Sequence, residues 1–247
     1  MEAVILAGGK GTRLRPYTTT LPKPLMPVGE HAILEIIIRQ LLACGVTKIT
    51  LAVNHMSDII MAFVGDGKKF GVEIAYSFED KPLSTVGPIK MISGLPEHFL
   101  VMNGDILTDL PSADLYARHL NAGVDLTVAV YQRDTRIDFG VLEVDRTVNR
   151  VIGFREKPTY HFDVSMGIYA FSHTLLERVP PNKAYGFDDL VLGMLRDKRP
   201  IQVYPYDGYW LDIGRPDDYD QANQDVDKLQ HLIKERANGM EDTSNRT

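Results

Sequence analysis

Residues 3–8, AVILAG, form an unbroken apolar run that ends in glycine, the pattern of a strand covered on both faces. Residues 31–45, HAILEIIIRQLLACG, repeat apolar positions at helical spacing, with Ile33, Ile37 and Leu41 as the core ladder, and stop at Gly45. The same reading predicts a strand over 48–53, a helix over 57–67 that Ser57 or Asp58 caps, a strand over 72–78, and an apolar run over 99–105 that breaks at Asn-Gly. This succession of βα units predicts an α/β fold: an open, mainly parallel sheet with helices on both faces.

After Leu110 the rhythm changes. A helix is predicted over 113–123, then closely spaced strands over 125–132, 139–145 and 150–158, the last two pairing antiparallel across a turn near 146–149. Strands over 166–172, 201–206 and 208–214, a helix over 187–197 and a polar helix from Pro216 complete the pattern. No linker-like composition divides the chain. The second half therefore reads as an elaboration of one sheet, in a single domain over 1–237, with a polar, frayed tail at 238–247.

Composition narrows the function. The 247 residues carry 33 acidic against 27 basic side chains, a net charge of −6, which disfavours general nucleic-acid binding. No apolar run approaches the ~18 residues of a membrane span, and the N-terminus does not read as a signal peptide. The single cysteine, Cys44, fits a reducing cytoplasm and reads as a small buried hydrophobe. None of the seven histidines shows zinc-ligand spacing.

Against this acidic background, residues 6–25, LAGGKGTRLRPYTTTLPKPL, hold three glycines and four basic residues with no acidic one. A Walker loop fails because Gly11 follows Lys10, and a dinucleotide fingerprint lacks its third glycine at Leu14. A third reading uses more of the stretch. Gly8, Gly9 and Gly11 let a triphosphate approach backbone amides, Arg13 offers a fork for phosphate oxygens, and Lys23 is held extended between two prolines. A glycine-rich turn with solvated cations would satisfy the same spacing.

The stretch LAGGKGTRLRP…PKPLMPVG resembles the signature of the sugar nucleotidyltransferases, or nucleotide-sugar pyrophosphorylases. The resemblance continues in order through NGD (103–105), EKP (156–158), GIYAF (167–171) and WLDIGRPDDYDQAN (210–223). It includes members of the mannose-1-phosphate guanylyltransferase and glucose-1-phosphate thymidylyltransferase type. It implies a Rossmann-like, mainly parallel mixed sheet of the nucleotide-diphospho-sugar transferase type, with a nucleotide-binding part (1–110), a sugar-phosphate-binding part (111–214) and a C-terminal helix (215–237). The implied reaction joins an NTP to a sugar 1-phosphate, releases pyrophosphate, and needs magnesium.

Carried onto matching positions, the resemblance assigns Leu6, Ala7, Gly8, Gly9, Gly11, Thr12, Arg13, Lys81, Thr85, Gly87, Asn103 and Gly104 to the nucleotide. Gly140, Glu156, Lys157 and Ser165 fall to the sugar phosphate, and Asp105 and Asp212 to the metal. Arg13, Lys23, Asp105 and Lys157 carry the catalytic roles. Asp212 could instead cap the following helix, and Asp105 could serve only its turn.

Two segments depart from the pattern. In DKPLSTVGPIK (80–90), Lys81 stands where an acidic or amide side chain is usual and Ser84 replaces a glycine, while Thr85, Gly87 and Pro88 keep a guanylyltransferase-like look. Lysine only donates, so Lys81 cannot accept a proton from a base. Ser165 replaces a common asparagine. GTP is the favoured donor. A phosphorylated alcohol such as phosphocholine as acceptor, and a non-catalytic nucleotide-sugar-binding subunit, are the alternatives. The chain's end soon after DYDQAN carries the expectation that no second catalytic domain follows, and a homo-oligomer is left open.

Overall fold

The computed structural model describes residues 1–229; the expected tail at 238–247 and the end of the 215–237 helix lie outside them. The first half contains β1 (Glu2–Leu6), β2 (Pro27–Val28), β3 (His31–Ala32), α1 (Ile33–Ala43), β4 (Lys48–Val53), α2 (Ser57–Val64), β5 (Glu73–Phe78), β6 (His98–Asn103), β7 (Ile106–Thr108) and α3 (Ser112–Ala122). The second half contains β8 (Leu126–Arg136), β9 (Val141–Asp145), β10 (Arg150–Arg155), β11 (Thr159–Ser172), α4 (Phe187–Arg196), β12 (Ile201–Tyr206), β13 (Trp210–Asp212) and α5 (Pro216–Gln224).

Seven strands form one sheet in the order β12-β8-β11-β6-β1-β4-β5. Only β11 runs against its neighbours; β1, β4, β5 and β6 are parallel, and β12 is parallel to β8. The second half thus extends the sheet of the first, as the absence of a linker implied. The predicted 139–145 and 150–158 pair is the antiparallel ribbon β9–β10. Strand β11 is longer than predicted, because its first half, in which Tyr160, Phe162 and Val164 alternate with polar residues, pairs with the outer half of β8 beyond the covered sheet.

Strand periodicity produces two cores. Ala3, Ile5, Leu100 and Met102 face one side with α1, where Ile33 and Ile37 are fully buried and Leu41 is nearly so. Val4, Phe99, Val101, Leu126 and Phe171 face the other, against Leu190 and Met194 of α4. Alternate side chains of one strand point to opposite faces, so a strand covered on both reads as a continuous apolar run. Among the described residues no helix is long and apolar enough to cross a membrane.

Three local expectations are corrected. Helix α2 is entered through Met56 in a left-handed conformation (φ 56°), without side-chain capping by Ser57 or Asp58. Cys44 ends α1 only half-buried. Lys23 is not extended: Leu25 and Met26 donate back to the carbonyls of Pro22 and Lys23, closing a short 3-10 turn over 23–25. Pro24 tolerates that turn because its missing N–H is not needed there.

The buried His119 joins the start of β8 to β6. Its Nδ1 lies 2.9 Å from Thr127 Oγ1 and its Nε2 lies 3.1 Å from His98 Nδ1. Burial, and secondly His98, hold its pKa down to about 4, with Asp125 pulling weakly the other way. The unfolded chain takes up this proton near pH 6.5 while the folded chain stays neutral, so stability falls as pH drops from about 6.5 towards 4. Urea unfolding at pH 7 and pH 5 should register a loss of about 2 kcal/mol from this group. In His119→Asn, less stable at pH 7, the dependence on pH should be visibly flatter; an unchanged slope rejects the assignment.

Candidate active site

The site lies where the strand order turns back on itself. β1 is flanked by β4 on one side and β6 on the other, and open α/β sheets bind ligands outside the carboxyl ends of such strands. Four strand ends converge there: β1 runs into the glycine stretch, β4 into Asn54, β5 into Glu79, and β6 into Gly104-Asp105. A cleft of about 390 Å³ is lined by Leu6, Gly8 and Gly9, by Asn54 and Glu79, by Thr85, and by Asn103 and Asp105. A smaller pocket of about 240 Å³ continues from it, lined by Gly9, Gly11, Thr12, Arg13, Lys23, Asp105 and Gly214.

The three glycines of the loop have different reasons to be glycine. A Cβ on Gly8 would stand 2.9 Å from Glu79 Oε1 and 3.2 Å from Asn54 Cβ, so its bareness admits the neighbouring strand ends. Gly11 is left-handed (φ 60°), with Thr18 and Lys23 close by, and Thr18 Oγ1 donates to its carbonyl at 2.8 Å. Only Gly9 has nothing within 4 Å of its Cβ position, and it lines both the cleft and the smaller pocket. Ala7 is buried beneath the loop, its N–H donating to Ala52 O at 2.8 Å.

Asp105 sits on a turn that Gly104 makes possible. The Gly104 N–H donates to Leu6 O at 2.9 Å, and a Cβ there would collide with that carbonyl. Asp105 Oδ2 accepts from Lys23 Nζ in an ion pair, Lys23 being only 8% exposed. Asp105 Oδ1 is buried with no hydrogen-bond partner. This carboxylate therefore does not merely close its own turn. Such an orphaned charged oxygen is costly unless a ligand completes it.

The second carboxylate arrives through pairing. β13 pairs antiparallel with β7, setting Asp212 opposite Ile106, and Ile213 N donates to Asp105 O at 3.0 Å. Partial desolvation, then the Asp105 carboxylate, push the Asp212 carboxyl up from its ordinary value, against the pull of Lys23 and Arg13. Asp212 does not cap α5; Asp218 does, its Oδ2 accepting from Arg215 N at 2.8 Å and Gly214 N at 3.1 Å. Among the described residues no group of three or more histidine, cysteine or acidic side chains is placed to hold a metal ion by itself. The pair fits an ion that takes two protein carboxylates and completes its shell with phosphate and water oxygens.

The positions assigned to a sugar phosphate gather on the long β8–β11 arm and its ribbon. A Cβ on Gly140 would meet the Phe154 ring at 2.6 Å and Glu156 Oε2 at 3.4 Å, so these positions adjoin. Lys157 follows in a left-handed conformation (φ 42°), and both charged side chains are exposed. Ser165 Oγ donates to Tyr169 Oη at 3.2 Å, beside an irregularity in β11. At its centre Gly167 (φ 74°) leaves room for the Asn103 side chain, whose Nδ2 lies 2.6 Å from where a Cβ would be. This contact joins the arm to the nucleotide-side strand ends.

Two positions stand away from the cleft. Lys81 is exposed and outside its lining. Gly87 is buried against Leu83 and the 183–185 segment, its N–H donating to Tyr185 O at 3.0 Å. The residue that sequence reasoning missed is Glu79. Its Oε2 accepts from Leu83 N at 2.9 Å, its Oε1 faces Gly8, and burial pushes its carboxyl up from the ordinary value. The available signal was its place directly after a strand predicted to end at 78.

The family described as nucleotidyl transferase matches residues 2–228. Mannose-1-phosphate guanylyltransferase catalytic subunit beta of Dictyostelium discoideum is 33% identical over 225 residues, covering 89% of this chain and 62% of that protein. Mannose-1-phosphate guanyltransferase of Schizosaccharomyces pombe is 35% identical over 227 residues, with the same coverage. The chain thus spans about three-fifths of the length of these curated relatives. Among solved structures, HddC from Yersinia pseudotuberculosis complexed with GMP-PN superposes with a TM-score of 0.70 at 27% identity, over 91% of this chain and 99% of that one. Matched by the family model over residues 2–228 and a third identical to these relatives, the chain belongs to the nucleotidyl transferase family.

Proposed function

We propose that the protein transfers a guanylyl group from GTP to a hexose 1-phosphate, releasing pyrophosphate and forming a GDP-sugar. The observation that carries the reaction type is the meeting of Lys23, Arg13 and Asp105 around one pocket of about 240 Å³. A phosphomonoester's second pKa is ~6, so the attacking oxygen is already anionic near neutral pH and needs no general base. What remains is to align polyanions and stabilise charge at the α-phosphorus, work suited to a glycine cradle and fixed cations.

In this reading the loop from Gly8 to Arg13 holds the triphosphate and Lys23 faces the α-phosphate. Glu156 and Lys157 grip the sugar phosphate, with Gly140 and Ser165 beside it. Asp105 and Asp212 hold magnesium. That ion, when bound, neutralises phosphate oxygens and makes the α-phosphorus easier to attack. The protein acts through position: two strand ends bring the carboxylates together, and the β8–β11 arm brings the acceptor.

Glu79 supports guanine. A carboxylate only accepts, and guanine offers two adjacent donors, its ring N–H and exocyclic amine. Adenine would turn a ring acceptor towards the same carboxylate. The names of the similar curated proteins favour the same donor, and make mannose 1-phosphate the first acceptor to try.

The test crosses five NTPs against mannose-, glucose- and N-acetylglucosamine 1-phosphates and phosphocholine, reading magnesium-dependent pyrophosphate release. GTP with one hexose 1-phosphate should dominate. Preference for phosphocholine would transfer the reading to an alcohol phosphate, and binding without turnover to a regulatory subunit. Glu79→Gln should lower kcat/KM for GTP about 100-fold relative to the other nucleotides. An unchanged preference removes Glu79 from base selection.

A further inference from the structure

A second pocket, of about 220 Å³, adjoins the glycine cradle at Arg13 and Gly214. Arg13 and Gly214 line both, and the Arg13 guanidinium lies over Gly214, 3.4–3.6 Å from where a Cβ would stand. The second pocket adds Arg133, Arg215 and Trp210, with Asp212 and Asp218 on its acidic side. Three guanidinium groups around so small a space form a concentration of positive charge in an acidic chain.

Among the described residues Arg13, Arg133 and Arg215 form no ion pair. The arginines that form ion pairs among the described residues are Arg39, Arg118, Arg136, Arg155, Arg178 and Arg199. Arg133 is instead held over the Trp210 ring, 5.6 Å from its centroid. That ring is fixed by its own N–H, which donates to Met166 O at 3.0 Å, and by Tyr131 at 5.2 Å. Arg215 is fixed at the start of α5 by its N–H bond to Asp218. Arg133, held over Trp210, and Arg215, at the start of α5, therefore come from unrelated elements to line one space.

We infer that Arg133 and Arg215, together with Arg13, form a binding site for inorganic pyrophosphate, the leaving group of the proposed reaction, on whose reading this inference rests. As the acceptor's phosphate oxygen bonds to the α-phosphorus, the bond from that phosphorus to the bridging oxygen breaks. The electron pair stays on the bridging oxygen, and pyrophosphate departs with an added negative charge. No proton needs to move. Arg13 faces both spaces, so a departing anion can pass from the cradle without leaving a guanidinium, and meets two more beyond it. Arginine suits this because its planar fork binds phosphate oxygens in pairs and keeps its charge at all working pH values.

The acceptor's end of the site is the competing occupant, and the lining argues against it. Gly140, Glu156, Lys157 and Ser165 are absent from this pocket, whereas it shares two residues with the phosphate cradle. Asp212 and Asp218 do not oppose the assignment, since pyrophosphate commonly travels with a divalent ion that carboxylates accept.

The experiment titrates the full chain with inorganic pyrophosphate, GMP and mannose 1-phosphate in separate calorimetric runs with magnesium. Arg133→Gln and Arg215→Gln should each weaken pyrophosphate about 10-fold, and the double variant more, while GMP and the sugar phosphate change by less than about 2-fold. Arg133→Lys should recover part of the loss, since charge is kept and only the fork is lost. Unchanged pyrophosphate affinity in both variants overturns the inference, as does a loss confined to the sugar phosphate, which would assign the pocket to the acceptor. If the parent chain binds neither GMP nor GTP, the nucleotidyl-transfer reading fails first, a result separable from failure of the arginine site alone.

Discussion

Asp105→Asn lowers the rate of pyrophosphate release about 1,000-fold or more, while the protein keeps its fold. Asparagine preserves the shape of the side chain and one acceptor oxygen but removes the negative charge. The wild-type carboxylate has one oxygen on Lys23 and the other buried with no partner. Losing it removes half of the acidic pair that fits a divalent ion, together with the charge stabilisation such an ion gives to phosphoryl transfer. The variant should melt below the parent, because the buried Lys23 loses its counter-charge, yet still bind GTP in calorimetry, since the base cleft and most of the loop are untouched. Activity within about 10-fold of the parent would remove Asp105 from the chemistry.

Lys23→Met lowers kcat about 100-fold, and its effect does not add to that of Asp105→Asn. Methionine matches the length of the lysine stem, so the 3-10 turn over 23–25 can persist. What is lost is a cation that is nine-tenths buried and aimed at the phosphate pocket. Removing it also strands the Asp105 oxygen that it serves, so part of the penalty falls on stability. Thermal melting of the single and double variants separates the two costs. Because the residues touch, the double variant should lose less than the product of the single losses. Full multiplicativity would mean that Lys23 and Asp105 act independently, against their observed ion pair.

The proposed guanine and pyrophosphate sites use similar physics in separate pockets. In one a partly desolvated carboxylate would accept from a base; in the other, guanidinium groups would take an anion. Between them stand groups of both signs, Asp105 with Lys23 and Asp212 with Arg13. An overall charge of −6 therefore coexists with local sites for polyanions. The net charge bears on long-range association and solubility; the local placement of cations decides phosphate binding.

The central architecture was legible because burial writes itself into hydrophobic order. The runs at 3–8, 48–53 and 99–105 are strands covered on both faces, and the ladder Ile33, Ile37, Leu41 is the face of α1 that meets the sheet. The phosphate loop was legible as a loop for a related reason: glycine and proline restrict or free the backbone locally. Less legible were backbone details that apolar order does not record. Lys23 was expected extended between its prolines and instead turns, because carbonyls of its own segment close a 3-10 turn. Ser57 and Asp58 suit a cap, yet the chain enters α2 through a left-handed Met56. The first half of β11 offers only a short alternation, Tyr160, Phe162 and Val164, since it pairs outside the covered core.

The sequence by itself determined the alternation of strands and helices, the glycine-rich turn after the first strand, and the chemical types available for a phosphate site, because these depend on side-chain character and near neighbours. Tertiary structure alone decided which of those groups meet. Glu79 reaches the cleft because β5 ends beside Gly8, Asp212 reaches Asp105 because β13 pairs with β7, and Arg133 lines the same pocket as Arg13 because β8 passes Trp210. Hydrophobic order records what each element buries, but the meeting of polar groups at strand ends depends on sheet order and register, which are set by packing across the whole chain.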